Sequence, residues 1–174
     1  MKLAVIIPVY NAENTIRKAV KSIDTTHDVE IICINDGSTD RTKQVLTELQ
    51  KEVKHLIVYH QDNQGAAKSR NMGLSAMSDD IDAFMFLDAD DQFLPGKMDQ
   101  MIQYYEKNEH LDIVIGQIGR GLNGDWKVIP THEDIHREAI VSLAEAPEIL
   151  QSIGPGGKIF KAKFNTLRFD EDVV

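Results

Sequence analysis

Over the first 110 residues, short apolar runs alternate with amphipathic stretches. Leu3 to Val9, Glu30 to Ile34, Leu56 to Tyr59 and Ala83 to Leu87 are runs of strand length. They show little polar alternation, as expected of strands covered on both faces. Between them apolar residues recur at helical spacing: Ile16, Ala19, Val20 and Ile23, then Val45, Leu46, Leu49 and Val53. A third helix is predicted through Ala66, Ala67, Arg70, Asn71 and Leu74, and a fourth with Met98, Met101, Ile102 and Tyr105 inward. Asn11 or Asn14 is expected to cap the first helix, and Pro95 to start the fourth. Pro8, near the end of the first run, suits a strand end and not a strand middle. Alternation of this kind predicts an α/β fold: a mainly parallel sheet flanked by helices.

From Asp112 the pattern changes. Ile113 to Ile118 and Lys127 to Ile129 read as strands around Asn123-Gly124, a hairpin signal. Thr131 to Glu138 is polar. Ser142 to Ile153 reads as a helix interrupted or restarted at Pro147. Gly154-Pro155-Gly156-Gly157 is a turn, and Lys158 to Phe164 a short apolar–basic element.

Composition narrows the function. The 174 residues carry a formal net charge of −9, which argues against a general nucleic-acid binder. A small phosphorylated ligand needs only local donors and remains open. Cys33, within an apolar run, reads as a buried core thiol in a reducing compartment. Residues 1–10 enter a strand directly, so no signal peptide is expected. No apolar run approaches the roughly 20 residues of a membrane span.

Four predicted strands end in polar loops: Tyr10-Asn11, Asp36-Gly37, Asn63-Gln64-Gly65 and Asp88-Ala89-Asp90-Asp91. In open α/β sheets ligands bind outside the carboxyl ends of the strands, so the loops are expected to converge on one site. Asp88, Asp90 and Asp91 repel one another unless a cation offsets them. Hard ions such as Mg²⁺ or Mn²⁺ take carboxylates together with substrate phosphates. The acidic loop therefore reads as a metal–diphosphate site, or else as a cap on the following helix.

Taken together, Ile6-Ile7-Pro8-Val9-Tyr10-Asn11, Asn35-Asp36-Gly37-Ser38-Thr39-Asp40, Asn63-Gln64-Gly65 with Ser69-Arg70-Asn71, and Asp88-Ala89-Asp90-Asp91 resemble the family 2 inverting glycosyltransferases. The resemblance runs from Leu3 to about Asp91 and resumes over Lys158 to Asp172. It implies a GT-A fold, Rossmann-like, with a small hairpin on the acceptor side. Residues 1–110 would form the nucleotide-sugar-binding half and residues 111–174 the acceptor-side portion.

The resemblance also implies roles. Pro8, Tyr10 and Asn11 would frame the base, and Asp36 would accept from its edge. Asn63, Gly65 and Arg70 would line the base and phosphates, Gly65 by close backbone approach and Arg70 as a fork of donors. Asp88 would hold the ribose. Asp90, in the DXD motif Asp88-Ala89-Asp90, would ligate Mn²⁺ or Mg²⁺. Asp91 would reach donor sugar or acceptor. Asp40 reads as a turn and cap residue, and Lys68 as a solvated helix residue.

The implied reaction moves a sugar from a nucleotide-diphosphate donor, a UDP-sugar, to an acceptor hydroxyl with inversion. The acceptor would be a glycan, lipid-linked or polymer molecule of a wall or surface polysaccharide. The expected place is the cytoplasm, or the inner face of the membrane. In the family a carboxylate of a Glu-Asp pair, several residues after a segment like Leu167 to Asp172, acts as base. A longer parent enzyme with its base beyond Val174 is therefore expected, and no catalytic residue is assigned. The alternative is that Asp170 to Asp172 are that pair.

Three rival readings remain. The chain could bind nucleotide sugars without turnover. It could be a nucleotidyltransferase, although Tyr10-Asn11-Ala12-Glu13 is not a Gly-rich basic loop. It could be a zinc metallohydrolase, since His132-Glu133-Asp134-Ile135-His136 matches a zinc-protease pattern, though without a third ligand at fixed spacing. Gly154 to Lys158 is not a P-loop, because Ile159 stands where Ser or Thr is needed.

Overall fold

A computed structural model describes residues 1–122, 125–128, 139–142, 144–145 and 156–171. The chain forms β1 (Lys2–Val9), α1 (Ile16–Lys21), β2 (Asp28–Asp36), α2 (Thr42–Glu52), β3 (Leu56–Gln61), α3 (Ala66–Ala76), β4 (Ala83–Phe86) and α4 (Lys97–Lys107). These are followed by β5 (Ile113–Ile115), β6 (Gly119–Leu122), β7 (Asp125–Val128), β8 (Lys158–Lys161) and a 3-10 helix over Ala162–Thr166. The main sheet has the order β3-β2-β1-β4-β8-β5. β1 to β4 pair in parallel, and β8 runs antiparallel to both β4 and β5. The mainly parallel sheet follows from the strand–helix alternation, because each crossover helix returns the chain to the same edge.

Period-two alternation sorts the strand residues into two cores. Leu3, Val5, Ile7, Val29, Ile31, Cys33, Met85 and Leu87 pack with residues of α1, α2 and α4. Ala4, Ile6, Ile32, Ile34, Phe84 and Phe86 pack with α3, the 3-10 helix and Phe169. Both faces are covered, which is why these strands read as continuous apolar runs. Burial pushes the Cys33 thiol up to about 12, as expected of a core cysteine.

Gly73 shows how closely α3 lies on the sheet. A Cβ there would sit 2.3 Å from Cγ2 of Ile6, itself fully buried. Overpacking costs about 1–3 kcal/mol, against the ~1 kcal/mol that Ala gains over Gly in a helix. Because Ile6 has no solvent side to move into, the clash wins. Gly73→Ala is expected to lower the denaturant midpoint.

Several boundaries differ from expectation. Neither Asn11 nor Asn14 caps α1; Thr15 occupies that position, without a side-chain cap bond. Asn11 instead adopts φ 47° and accepts from Thr39 N at 2.8 Å, so its carboxamide is spent on a loop–loop contact. α4 starts at Lys97 after Gly96 in the left-handed region, two residues past Pro95. Gly119–Leu122, not Ile113–Ile118, pairs with Asp125–Val128; Ile113–Ile115 joins the main sheet through β8. Most of the helix expected over Ser142 to Ile153 lies outside the described residues.

Candidate active site

The chain runs β1, β2, β3 toward one edge, then returns to place β4 on the other side of β1. This reversal opens a crevice at the carboxyl ends of β1 and β4, where ligands of doubly wound sheets bind. A cleft of about 450 Å³ lies there, lined by Pro8, Val9, Tyr10, Asn11, Ala12, Thr15, Asp36, Ala66, Ser69, Arg70, Asp88, Ala89 and Asp90. The volume is within the range of small-molecule sites. Seven sequence-predicted residues meet in it: Pro8, Tyr10, Asn11, Asp36, Arg70, Asp88 and Asp90.

Two loops build one wall. Asn11 N donates to Ser38 Oγ at 3.0 Å, joining the β1–α1 turn to the β2–α2 turn. Asp40 accepts from Thr42 N at 2.9 Å and Glu13 N at 3.2 Å, the expected turn role, while Arg41 and not Asp40 stands at the cap position of α2. Tyr10 is 52% exposed at the mouth, on a turn tied to the β2–α2 loop through Asn11.

Asp36 forms the inner wall, only 3% exposed. Its Oδ1 accepts from Gln61 Nε2 at 2.7 Å and Gln64 N at 2.8 Å, and its Oδ2 from Gly65 N at 2.8 Å. The carboxylate thus orders the β3–α3 loop. Gly65 has φ 90°, and an added Cβ would meet no atom of the described residues within 4 Å. Among the described residues, then, glycine is required by the backbone angle and not by close packing. Asn63 packs its backbone against Gly37, where a Cβ would lie 2.6 Å from Asn63 N. Asn63, Gly65 and Asp91 are not among the residues lining the cleft.

Opposite stands the acidic loop. Arg70 Nη2 donates to Asp88 Oδ1 at 2.7 Å, so one of the three carboxylates is offset within the chain. Asp91 N donates to Asp88 O at 3.0 Å, folding the loop into a tight turn. The Asp91 carboxyl is raised above its ordinary value, first by partial withdrawal from water and then by the charges of Asp90 and Asp88. A cation would relieve this repulsion. Among the described residues no three His, Cys, Asp or Glu are grouped to cage a metal. Asp88 and Asp90 line the cleft, and their hard carboxylate oxygens are donors of the kind that Mg²⁺ or Mn²⁺ takes alongside ligand phosphates.

Sequence reasoning did not single out Gln61, Ser38 or Ser69 as site residues. Gln61 bridges Asp36 and Ser69, and nothing in its sequence neighbourhood marks it beyond its place at a strand end. Lys68 approaches Glu171 at 3.9 Å. His132, Glu133, His136 and Asp172 lie outside the described residues. No helix of the described residues is long and apolar enough to cross a membrane.

The chain is similar to known glycosyltransferases. The profile of glycosyl transferase family 2 matches residues 4–169. A TagX protein of Staphylococcus aureus is 39% identical over the whole chain, which covers 50% of that relative. Glycosyltransferase GlyA of Streptococcus pneumoniae is 33% identical over 97% of the chain and 26% of its own length. The structure of S. aureus TarS residues 1–349 superposes with a TM-score of 0.82 at 25% identity, over 99% of this chain and 51% of that one. A TarS structure in complex with UDP-GlcNAc gives 0.80 at 25% identity, over 98% and 49%. The chain thus spans about half the length of the TagX protein it matches. With its six-stranded sheet, strand-end cleft and matched profile, the chain belongs to glycosyl transferase family 2 and has the GT-A fold.

Proposed function

We propose that this chain is the donor-binding portion of an inverting, metal-assisted glycosyltransferase that uses a UDP-sugar. The observation that carries this reading is the convergence of the β1, β2 and β4 ends with α3 on one cleft. Residues 1–110 form the nucleotide-sugar half, and residues 111–174 contribute the acceptor side. UDP is favoured because a TarS structure of the same fold is in complex with UDP-GlcNAc.

The cleft residues divide the nucleotide among them. Pro8, Tyr10 and Asn11 hold the base, Tyr10 by its ring face. Asp36 meets the base edge with the acceptor capacity left over from its three internal bonds. Asn63 and Gly65 complete the base and phosphate side. Arg70 donates to the diphosphate, and Asp88 holds the ribose. Asp90 is the metal ligand, and Asp91 reaches donor sugar or acceptor. A bound Mn²⁺ or Mg²⁺ supplies charge neutralisation at the leaving diphosphate. The acceptor is a glycan, lipid-linked or polymer hydroxyl of a wall or surface polysaccharide, met at the cytoplasmic face of the membrane.

A panel of nucleoside diphosphates tests the reading by thermal stabilisation. A ligand at 100 times its Kd stabilises by about 2.7 kcal/mol, so UDP with Mn²⁺ should raise Tm by several degrees, and GDP and CDP should not. Arg70→Ala should weaken UDP roughly 10-fold, the low end for a charge-assisted hydrogen bond. Equal stabilisation by all three nucleotides would remove uridine specificity from the account. Because the chain spans about half of the TagX relative, binding without turnover is the second reading; binding of UDP-GlcNAc without its consumption would select it.

A further inference from the structure

The last described segment, near residue 170, returns to the donor site in the first half of the chain. We propose that Phe169 to Glu171 form a positioning strap, held by Asn71, that fixes the Arg70 guanidinium at the nucleotide cleft. The proposal rests on the donor-site reading above and extends it to a residue 99 positions from Arg70.

Asn71 is 7% exposed. Its carboxamide clips the strap as a strand partner would: Phe169 N donates to Asn71 Oδ1 at 2.8 Å, and Asn71 Nδ2 donates to Phe169 O at 3.0 Å. The same Nδ2 donates to Glu171 Oε1 at 3.0 Å. One turn on, Arg168 Nη2 donates to Ser75 Oγ at 3.2 Å. Lys68, Asn71 and Ser75 share a helix face by their spacing, so α3 presents one continuous track to the strap.

The clip places the Phe169 ring between two groups. Its centroid is 5.3 Å from that of Phe86, edge to face at 85°. The Arg70 Cζ lies 5.6 Å from the Phe169 centroid, within cation–π range. Arg70 is bonded to Asp88 at one end, yet its Nε is buried with no hydrogen-bond partner among the described residues. The guanidinium plane is therefore held by packing on the ring as well as by the ion pair. Arg70 and Asn71 are adjacent, so one helix turn both receives the strap and uses it.

The test is a set of UDP and uridine titrations by calorimetry. Phe169→Leu keeps apolar burial and removes the ring face; Phe169→Trp restores it. Phe169→Leu should weaken UDP on the order of 5-fold, as expected for loss of a partly desolvated cation–π contact. Uridine, which lacks the diphosphate, should be unaffected, Phe169→Trp should bind UDP as wild type does, and Phe169→Leu should add nothing in an Arg70→Ala background. Equal losses for UDP and uridine, or an undiminished effect in the Arg70→Ala background, would overturn the strap. Wild-type binding with no change in Phe169→Leu removes the strap alone. If folded wild-type chain binds no UDP, the donor-site reading fails and the strap falls with it.

Discussion

Asp36→Ala should destabilise the chain by about 3 kcal/mol and abolish measurable nucleotide binding. Three donors converge on this one buried carboxylate: Gln61 Nε2, Gln64 N and Gly65 N. Each hydrogen bond to a charged group contributes roughly 1.5–3 kcal/mol. Simple addition overstates the loss, because Gln64 and Gly65 are exposed and their amides can rehydrate once released. The larger consequence is geometric. Gly65 opens α3, which carries Arg70, so freeing the loop loosens one wall of the cleft. Asp36→Asn keeps one acceptor oxygen and should fall between wild type and Asp36→Ala. Urea denaturation followed by circular dichroism reads the stability, and UDP titration reads the site. A variant as stable as wild type would mean that the loop is ordered by something other than this carboxylate.

Asp90→Ala should erase the metal-dependent part of UDP affinity while leaving the fold intact. Asp88 Oδ1 already accepts from Arg70 at 2.7 Å, and Asp91 does not line the cleft. Asp90 is exposed and lines the cleft, which makes it the carboxylate best placed for a shared ion. Removing an outer-shell partner of a metal ligand costs roughly 10–100-fold, and loss of the ligand itself should cost at least as much. Metal-free UDP binding should be unchanged. Apo stability should stay level or rise, since one of three repelling charges is gone. Calorimetry with Mn²⁺ or chelator separates these effects. If Asp90→Ala keeps the full Mn²⁺ gain, the metal ligand lies elsewhere.

Strand identity was legible because a parallel sheet covered on both faces demands continuous apolar runs, such as Leu3 to Val9 and Ala83 to Phe86. The cleft was legible because every polar loop after β1, β2, β3 and β4 falls at the same sheet edge. What escaped depends on contacts between distant residues. The positive φ of Asn11 and its bond to Thr39 leave no local signal that distinguishes them from a helix cap. β7 pairs with Gly119–Leu122 and not with the more apolar Ile113–Ile115, because β8 competes for the latter. The Asn71–Phe169 clip joins residues 98 apart, beyond any periodicity argument. Gln61 looks like an ordinary strand end until Asp36 and Ser69 are seen beside it.

Titrating the wild-type chain with UDP, with and without Mn²⁺, tests the central claim most directly. The account predicts saturable binding that tightens at least 10-fold with the ion, the minimum expected when a metal bridges carboxylate and phosphates. Absence of UDP binding in either condition, by a chain whose circular dichroism shows it folded, would contradict it.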